Sequence, residues 1–378
     1  MVGIISQPDT LGKLRILSTD AQYDLACACG SGKDEHRKRN GRGGWIYPVT
    51  LPNGGKSTLF KTLLSNVCSN DCSYCPLHEG KDIRRCSLRP DETARAFLDY
   101  YNRGEVFGLF LSSGVMGSVD TAMEKLLATV RILRKRYQYR GYVHLKVIPG
   151  ACEAAIEEAV SLSSAVSINI ETPGENWLGN VSAKKDFLHD IVAPMKLISK
   201  LTGKGQKYHK VKQTTQFVVG AAGESDAEIV KYTGALYERL NLNRVYFSSY
   251  QRNHTQSDAD TKAGQAETDE SLVREHRLYQ VDFLLRKYGF SASDIICGSD
   301  GNLSLTADPK QVWADAHPEY FPVNVNRATK QQLLKVPGLG PVTVKRILKR
   351  RAQSQLYDAE DIGKNTALLE KASGYIAF

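Results

Sequence analysis

The sequence predicts an α/β fold, either a partial (β/α)6 barrel or an open doubly wound sheet, followed by a small all-α C-terminal module. Three observations predict it. Strand-like and helix-like segments alternate through the middle of the chain, as βα units around a parallel sheet do. One strand carries its polar residues on a single face, whereas a two-sided parallel sheet wants apolar residues on both. From Asn324 to Arg351 the pattern becomes two short helices around Pro337-Gly338-Leu339-Gly340.

Residues 1–57 are expected as an N-terminal extension. Within it Gly30–Gly43 is rich in Gly, Lys and Arg, carries +3 and lacks periodicity. A solvated loop is the first reading and nucleic-acid contact the second. Gly-Gly-Lys-Ser at Gly54–Ser57 is like the end of a phosphate-binding loop, but Thr50 stands where that loop needs its first glycine, so a turn into the first strand is expected.

Residues 58–255 are expected as the barrel. Its strand candidates are Leu59–Val67, Gly108–Ser112, Tyr142–Ile148, Val166–Glu171, Thr214–Val219 and Arg244–Ser249. Helical stretches lie near Asp91–Arg103, Val119–Tyr137, Cys152–Leu162, Lys185–Leu201 and Asp226–Leu240. Along the fourth strand Val166, Ile168 and Ile170 share one face, and Ser167, Asn169 and Glu171 the other. Thr214 and Gln216 share a face of the fifth strand, and His144, Lys146 and Ile148 a face of the third. A polar inner face fits a barrel whose lumen holds a polar ligand; polar groups satisfying one another in a wet interior is the alternative. Residues 256–322 are a connector with a long helix over Thr268–Tyr288, and 323–378 the basic C-terminal module.

Composition narrows the class. The 378 residues are 42% hydrophobic and 24% charged, ordinary for a globular protein. No apolar run approaches the roughly 18 residues of a membrane span, and the N-terminus lacks a basic stretch followed by an apolar one. A soluble, cytoplasmic protein without membrane contact is expected. Eight cysteines in such a protein favour metal or redox use over disulfides. The net charge is +9, and the segment Asn324–Arg351 alone carries +8 with no Asp or Glu. A local basic patch points to a polyanion partner.

Cys68, Cys72 and Cys75 form C-x3-C-x2-C directly after the first strand candidate. Three thiolates so spaced can hold three corners of a four-iron cluster and leave one iron open. His78 could instead complete a zinc site. Cys27, Cys29 and Cys86 could form a second cluster, though free buried thiols are commoner.

The triad resembles that of the radical S-adenosylmethionine superfamily. The resemblance implies a [4Fe-4S] cluster whose open iron binds S-adenosylmethionine, and reductive cleavage to a 5′-deoxyadenosyl radical. It places Tyr74 near the adenine, and Ser112 and Ser113 where the family's Gly-Gly-Glu-like turn touches the methionine amino group, here without the acid. It makes Glu171 a polar cofactor contact and likens Gly220 and Glu224 to the family's fifth-strand Gly-x-x-x-Glu element.

In the basic module Thr329 and Gln332 form a capping box. A second helix opens at Pro341, and Leu339, Val344, Ile347 and Leu348 are expected to pack between the helices. Gly338 and Gly340 are expected to leave bare N–H groups facing outward as a phosphate cradle, with Lys345, Arg346 and Lys349 adding charge. This resembles the helix-hairpin-helix motif, which implies sequence-independent DNA binding. Asp358–Phe378 is expected to add a degenerate second hairpin.

Nearly the whole chain resembles the DNA modification/repair radical SAM protein family. The resemblance runs through Tyr23-Asp24 with Cys27, the cysteine triad, Gly108–Val115, Gly141–Gly150, Ser167–Glu171, Arg274–Tyr279, Asp308–Lys310 and Asn326–Arg351. Cys29, Cys86 and the run Ser249–Thr255 depart from the family. The resemblance implies an enzyme acting on DNA, with a uracil-DNA glycosylase-like partner and an electron donor such as flavodoxin or ferredoxin. His144, Lys146, Arg274 and His276 are the candidates for substrate or proton-transfer roles. An RNA-modifying radical SAM enzyme and a non-catalytic DNA-binding repair factor with a structural metal are the alternatives.

Overall fold

A computed structural model of the chain describes residues 8–24, 44–50, 55–250, 262–363 and 367–378. Cys27, Cys29, the loop at 30–43 and residues 251–255 lie outside them. Two compact units are present: residues 1–224 with 235–272, and residues 225–234 with 273–378. Among the described residues no helix is long and apolar enough to cross a membrane.

The first unit opens with α1 (Thr10–Asp20), capped by the Asp9 carboxylate, which accepts the Gly12 N–H at 2.7 Å. Its sheet holds β1 (Ile46–Thr50), β2 (Lys56–Leu63), β3 (Gly108–Ser112), β4 (Tyr142–Lys146), β5 (Ala165–Ser167), β6 (Lys212–Val219) and β7 (Arg244–Ser249), side by side in chain order. β1 runs antiparallel to β2, and every other neighbouring pair is parallel. Between the strands come α2 (Pro90–Asn102), α3 (Val119–Arg131), α4 (Glu153–Leu162), α5 (Glu175–Gly179), α6 (Ala193–Thr202) and α7 (Asp226–Leu240), whose residues up to Gly234 group with the second unit.

A doubly wound sheet would reverse its strand order at a switch point. This one does not. Crossovers between parallel strands are right-handed, so a sequential order puts the helices on one face and leaves the other as the wall of a lumen. The fold is the partial barrel. Met123, Leu126 and Val130 of α3 and Ile156 and Val160 of α4 are buried on the helix side.

β2 ends at Leu63 rather than Val67, β4 ends at Lys146 rather than Ile148, and β6 begins at Lys212 rather than Thr214; β1 and β5 differ more. β1 was not expected, because Pro48 sits in its middle. Proline lacks the N–H a central ladder needs, but β1 is an edge strand that pairs only with β2. β5 is shorter than Val166–Glu171. After Ser167 the Thr215 hydroxyl intervenes, donating to Ile168 O at 2.7 Å and accepting from Ile170 N–H at 2.9 Å. Ladder pairing returns at Glu171, whose N–H donates to Gln216 O at 3.1 Å. A side chain thus stands in for the backbone ladder and opens the strand toward the lumen.

The second unit takes in α8 (Lys262–Lys287), from Val273 onward, and α9 (Pro309–Ala316). Then come β8 (Val323–Asn324), α10 (Lys330–Lys335), α11 (Pro341–Arg351), α12 (Ala367–Ser373) and β9 (Ile376–Ala377), with β8 and β9 parallel. The Thr329–Gln332 capping box forms as expected. Leu333, Val336, Leu339, Val344 and Ile347 share one core with Leu356, Ile362, Leu369 and Ala372. The C-terminal segment therefore completes the core under the α10–α11 turn.

Lys310 of α9 supports that turn. Its buried ammonium donates to Leu339 O at 2.7 Å and lies 4.7 Å from the Tyr288 ring. Burial pushes its pKa down from 10.5 to about 7. The unfolded lysine holds its proton to higher pH, so above pH 7 the unfolded chain binds more protons and stability rises with pH. Thermal unfolding should show this unit stabilising as pH climbs from about 7 toward 10.5, and Lys310→Met should flatten the climb.

Candidate functional site

The C-terminal ends of β2 to β7 surround a cleft, open to solvent and lined by Cys68, Cys72 and Cys75. The cysteine loop is fixed from several sides. Ser69 N–H donates to Val115 O at 3.0 Å, and Ser73 N–H to Val181 O at 2.8 Å. The Asp71 carboxylate accepts from Ser182 Oγ at 2.6 Å and Ala183 N–H at 2.8 Å. The Arg85 guanidinium reaches Leu77 O, His78 O and Lys81 O at 2.8, 3.0 and 2.9 Å. A Cβ on Gly114 would sit 2.5 Å from Val67 O and 3.1 Å from Cys68 Cβ. Only glycine after β3 lets the cysteine loop come this close.

The three thiols line one cleft rather than converging on a point. Among the described residues no three His, Cys, Asp or Glu side chains are placed to chelate a single ion. His78 also lines the cleft, and its Nδ1 accepts the Gly80 N–H at 3.1 Å. Burial and the neighbouring Cys72 and Cys68 sulfurs push the Cys75 thiol up to about 12. A coordinated metal deprotonates such a thiol outright. Cys86 is half-buried and does not line the cleft.

Beside the thiols stands a buried ion pair. Lys185 Nζ lies 3.3 Å from Glu171 Oε1 and 3.3 Å from Tyr74 Oη, with both charged side chains 7% exposed. Burial would lower the Lys185 pKa, but the Glu171 carboxylate and the Cys72 sulfur outweigh it and hold the ammonium charged. Burial, then Glu171, raises the Tyr74 phenol well above its ordinary value, so it stays neutral. Glu171 has φ +64°, a strained conformation for a non-glycine residue that occurs preferentially at functional sites. Lys185 was missed in the sequence as a site residue, because nothing local ties a lysine at a helix start to a carboxylate fourteen residues earlier. Lys185→Met should destabilise the chain by about 3–5 kcal/mol by stranding the Glu171 carboxylate. Adding Glu171→Gln should recover most of that loss in a urea-unfolding cycle.

A second pair joins Lys146 Nζ to the Asp24 carboxylate, and both residues line the cleft. Burial would raise the Asp24 carboxyl, but Lys146, then Lys61 and the Ser112 hydroxyl, hold it below the ordinary carboxylate range. Asp24 thus places an acid beside Ser112, although the turn after β3 has none. Ser113 lines the same cleft, its Oγ donating to Gly114 O at 2.8 Å.

The other candidates fall elsewhere. His144 is buried behind the cleft lining, with Nε2 2.9 Å from Ser167 Oγ and its ring 4.5 Å from Phe110. Burial, with Lys146 nearby, pushes its pKa down to about 3, so it is neutral. Gly220 and Glu224 do not line the cleft. The Glu224 carboxylate accepts the Gly220 and Ala222 N–H groups and shapes the turn after β6, where Gly220 has φ +83°. Arg274 and His276 belong to the second unit. There Arg274 Nε donates to the fully buried Asp226 carboxylate at 2.7 Å, and burial lowers the His276 pKa.

In the α10–α11 turn, Gly338 has φ +82°, and a Cβ there would lie 2.1 Å from Leu368 O and 3.0 Å from Ala372 N. Its α-carbon faces α12, and close packing there requires this glycine. Gly340 is the N-cap of α11, without a side-chain cap. Lys345, Arg346 and Lys349 are exposed, and the Arg346 guanidinium lies against Gly363.

No protein-family model matches the chain, and no curated protein matches it in sequence. Among solved structures it is similar to the FeFe-hydrogenase maturase HydG from Carboxydothermus hydrogenoformans, at 16% identity and TM-score 0.41 over 58% of this chain and 52% of that one. It is similar to methylornithine synthase (PylB), at 12% identity and TM-score 0.46 over 61% and 63%. It is also similar to anSMEcpe with bound AdoMet, at 14% identity and TM-score 0.41 over 60% and 62%. The chain thus spans about half of HydG and under two thirds of the other two.

Proposed function

We propose that the chain is a radical S-adenosylmethionine enzyme that acts on a nucleotide in DNA. One observation carries the reading: three thiols, with no fourth cysteine beside them among the described residues, line a cleft whose other polar walls include Ser112, Ser113, Asn169, Glu171 and Lys185. This donor set fits a [4Fe-4S] cluster held by Cys68, Cys72 and Cys75 with one iron left open. When bound, the cluster and S-adenosylmethionine supply an electron, sulfonium cleavage and a 5′-deoxyadenosyl radical that takes hydrogen from the substrate.

The chain's own residues bind and orient. Ser112 and Ser113 offer hydroxyl acceptors to an amino group, and Lys185 a cation to a carboxylate. Glu171 accepts from hydroxyls, and Tyr74 offers an aromatic face to an adenine. Gly220 and Glu224 shape the wall indirectly, through the turn after β6. Lys146 is the one member of the His144, Lys146, Arg274 and His276 set that lines the cleft, and it pairs there with Asp24. An electron donor such as flavodoxin or ferredoxin would supply the reducing equivalent.

The DNA assignment rests on the acid-free +8 segment Asn324–Arg351 and on the likeness of α10, its turn and α11 to a helix-hairpin-helix. Lys345, Arg346 and Lys349 would meet phosphates there, with Gly340 at the helix N-terminus. Gly338 would support the turn. The family resemblance adds a uracil-DNA glycosylase-like partner. The test is anaerobic reconstitution with iron, sulfide, reductant and S-adenosylmethionine, with duplex DNA or RNA added. 5′-Deoxyadenosine enhanced by DNA supports the reading. Enhancement by RNA alone moves the substrate to RNA, and no 5′-deoxyadenosine leaves a metal-bearing DNA-binding factor.

A further inference from the structure

We infer that the N-terminal rim of the sheet, at the starts of β4 and β6, is a second nucleic-acid contact surface that grips the phosphate backbone away from the cleft. Two segments build it. Residues 131–142 hold five Arg or Lys and no acid, and residues 203–212 hold four Lys and no acid. The first runs from the end of α3 through a π-helical turn, Ile132–Arg136, into β4, and the second from α6 into β6. β4 and β6 flank β5, so their starts stand two strand spacings apart, about 10 Å. The rim is continuous through Ser164, whose N–H donates to Val143 O at 2.8 Å and whose carbonyl accepts Lys212 N–H at 3.1 Å.

The basic side chains divide by role. Arg131 pairs with Glu124 and Glu158. Arg134 turns inward, donating to Leu162 O, Tyr139 O and Gly141 O, each at 2.9 Å. Lys135, Arg136, Arg140, Lys204, Lys207 and Lys210 are exposed. Two aromatic rings interleave with them: Arg136 lies 5.5 Å from the Tyr137 ring, and Lys207 Nζ 5.0 Å from the Tyr208 ring. Exposed cations with aromatic faces and no acids between them suit a phosphate polymer.

An acidic protein is the other class such charge would fit, and an electron donor is the relevant one. The thiols lie beyond the opposite ends of the strands. β4 alone has five residues, or roughly 17 Å at ~3.3 Å per residue. A donor seated on the rim would hold its redox centre far from the cluster site. A polyanion has no such constraint.

The inference rests on the reading of a nucleic-acid substrate and deepens it. The full chain is titrated with a fluorescein-labelled mixed-sequence duplex across a salt series by fluorescence anisotropy. One variant changes Lys135, Arg136, Arg140, Lys204, Lys207 and Lys210 to Gln, and another changes Lys345 and Lys349 to Gln. The rim variant should unfold at an unchanged temperature yet bind at least about tenfold more weakly. Its slope of log K on log salt should fall by about 3–5, at ~0.9 for each phosphate no longer neutralised. Unchanged affinity and slope in the rim variant, with weaker binding in the Lys345/Lys349 variant, overturns the rim and leaves the DNA reading standing. No duplex binding by the unaltered chain overturns both. Intact DNA binding with slower reduction by flavodoxin reassigns the rim to an acidic protein and overturns the inference.

Discussion

A Cys72→Ala chain, reconstituted anaerobically with iron and sulfide, should lack the broad visible absorbance of a four-iron cluster and form no 5′-deoxyadenosine above a metal-free control. Cys72 is 5% exposed and lies between the other two thiols in the loop. Without it, two thiolates remain for three irons. Among the described residues no other cysteine lines the cleft to replace it, and Cys86 is held elsewhere, its N–H donating to Asn66 Oδ1 at 2.7 Å. Cys86→Ala should therefore keep both the absorbance and the product. The paired variants separate loss of a ligand from loss of any thiol. Iron content, read beside the absorbance, identifies a chain that loads metal without assembling the cluster.

Gly338→Ala should destabilise the second unit by about 2–5 kcal/mol. Alanine in the left-handed region costs roughly 1–2 kcal/mol, and forcing a methyl into a packed contact a further ~1–3 kcal/mol. The added Cβ would lie 2.1 Å from the Leu368 carbonyl, a backbone atom that moves only if α12 moves. Gly340→Ala meets only Tyr288 Oη, at 3.4 Å, and should cost far less. Hydrogen exchange at Leu333 and Ile347, in the shared core, should rise sharply in the first variant and little in the second. Loss of DNA binding on changing Gly338 would therefore report an opened core rather than a missing phosphate contact. The exposed Lys345 and Lys349 are the cleaner probes.

The parallel strands were legible because each is a short apolar run bounded by turn residues, and Ser167, Asn169 and Glu171 on one face already marked a polar lumen. β1 was hidden by Pro48, which only its edge position tolerates. The Lys185–Glu171 and Lys146–Asp24 pairs were hidden because each joins residues distant in sequence. Asp24 entered only through a resemblance, and its place beside Ser112 needed the fold. Glu224 was legible as part of a turn but not as the acceptor that shapes it. The basic rim escaped notice for another reason. Residues 1–323 sum to only +3, because acids elsewhere offset the lysines and arginines that the strand starts bring together. Charge summed along a chain does not show charge on a surface.

The central claim is that Cys68, Cys72 and Cys75 hold a cluster with one open iron that cleaves S-adenosylmethionine. It is tested most directly by quantifying 5′-deoxyadenosine from the anaerobically reconstituted full chain with reductant and S-adenosylmethionine. Product that depends on all three cysteines is the expected result. A chain loaded with the cluster and reduced, yet forming no 5′-deoxyadenosine with or without DNA, would contradict it.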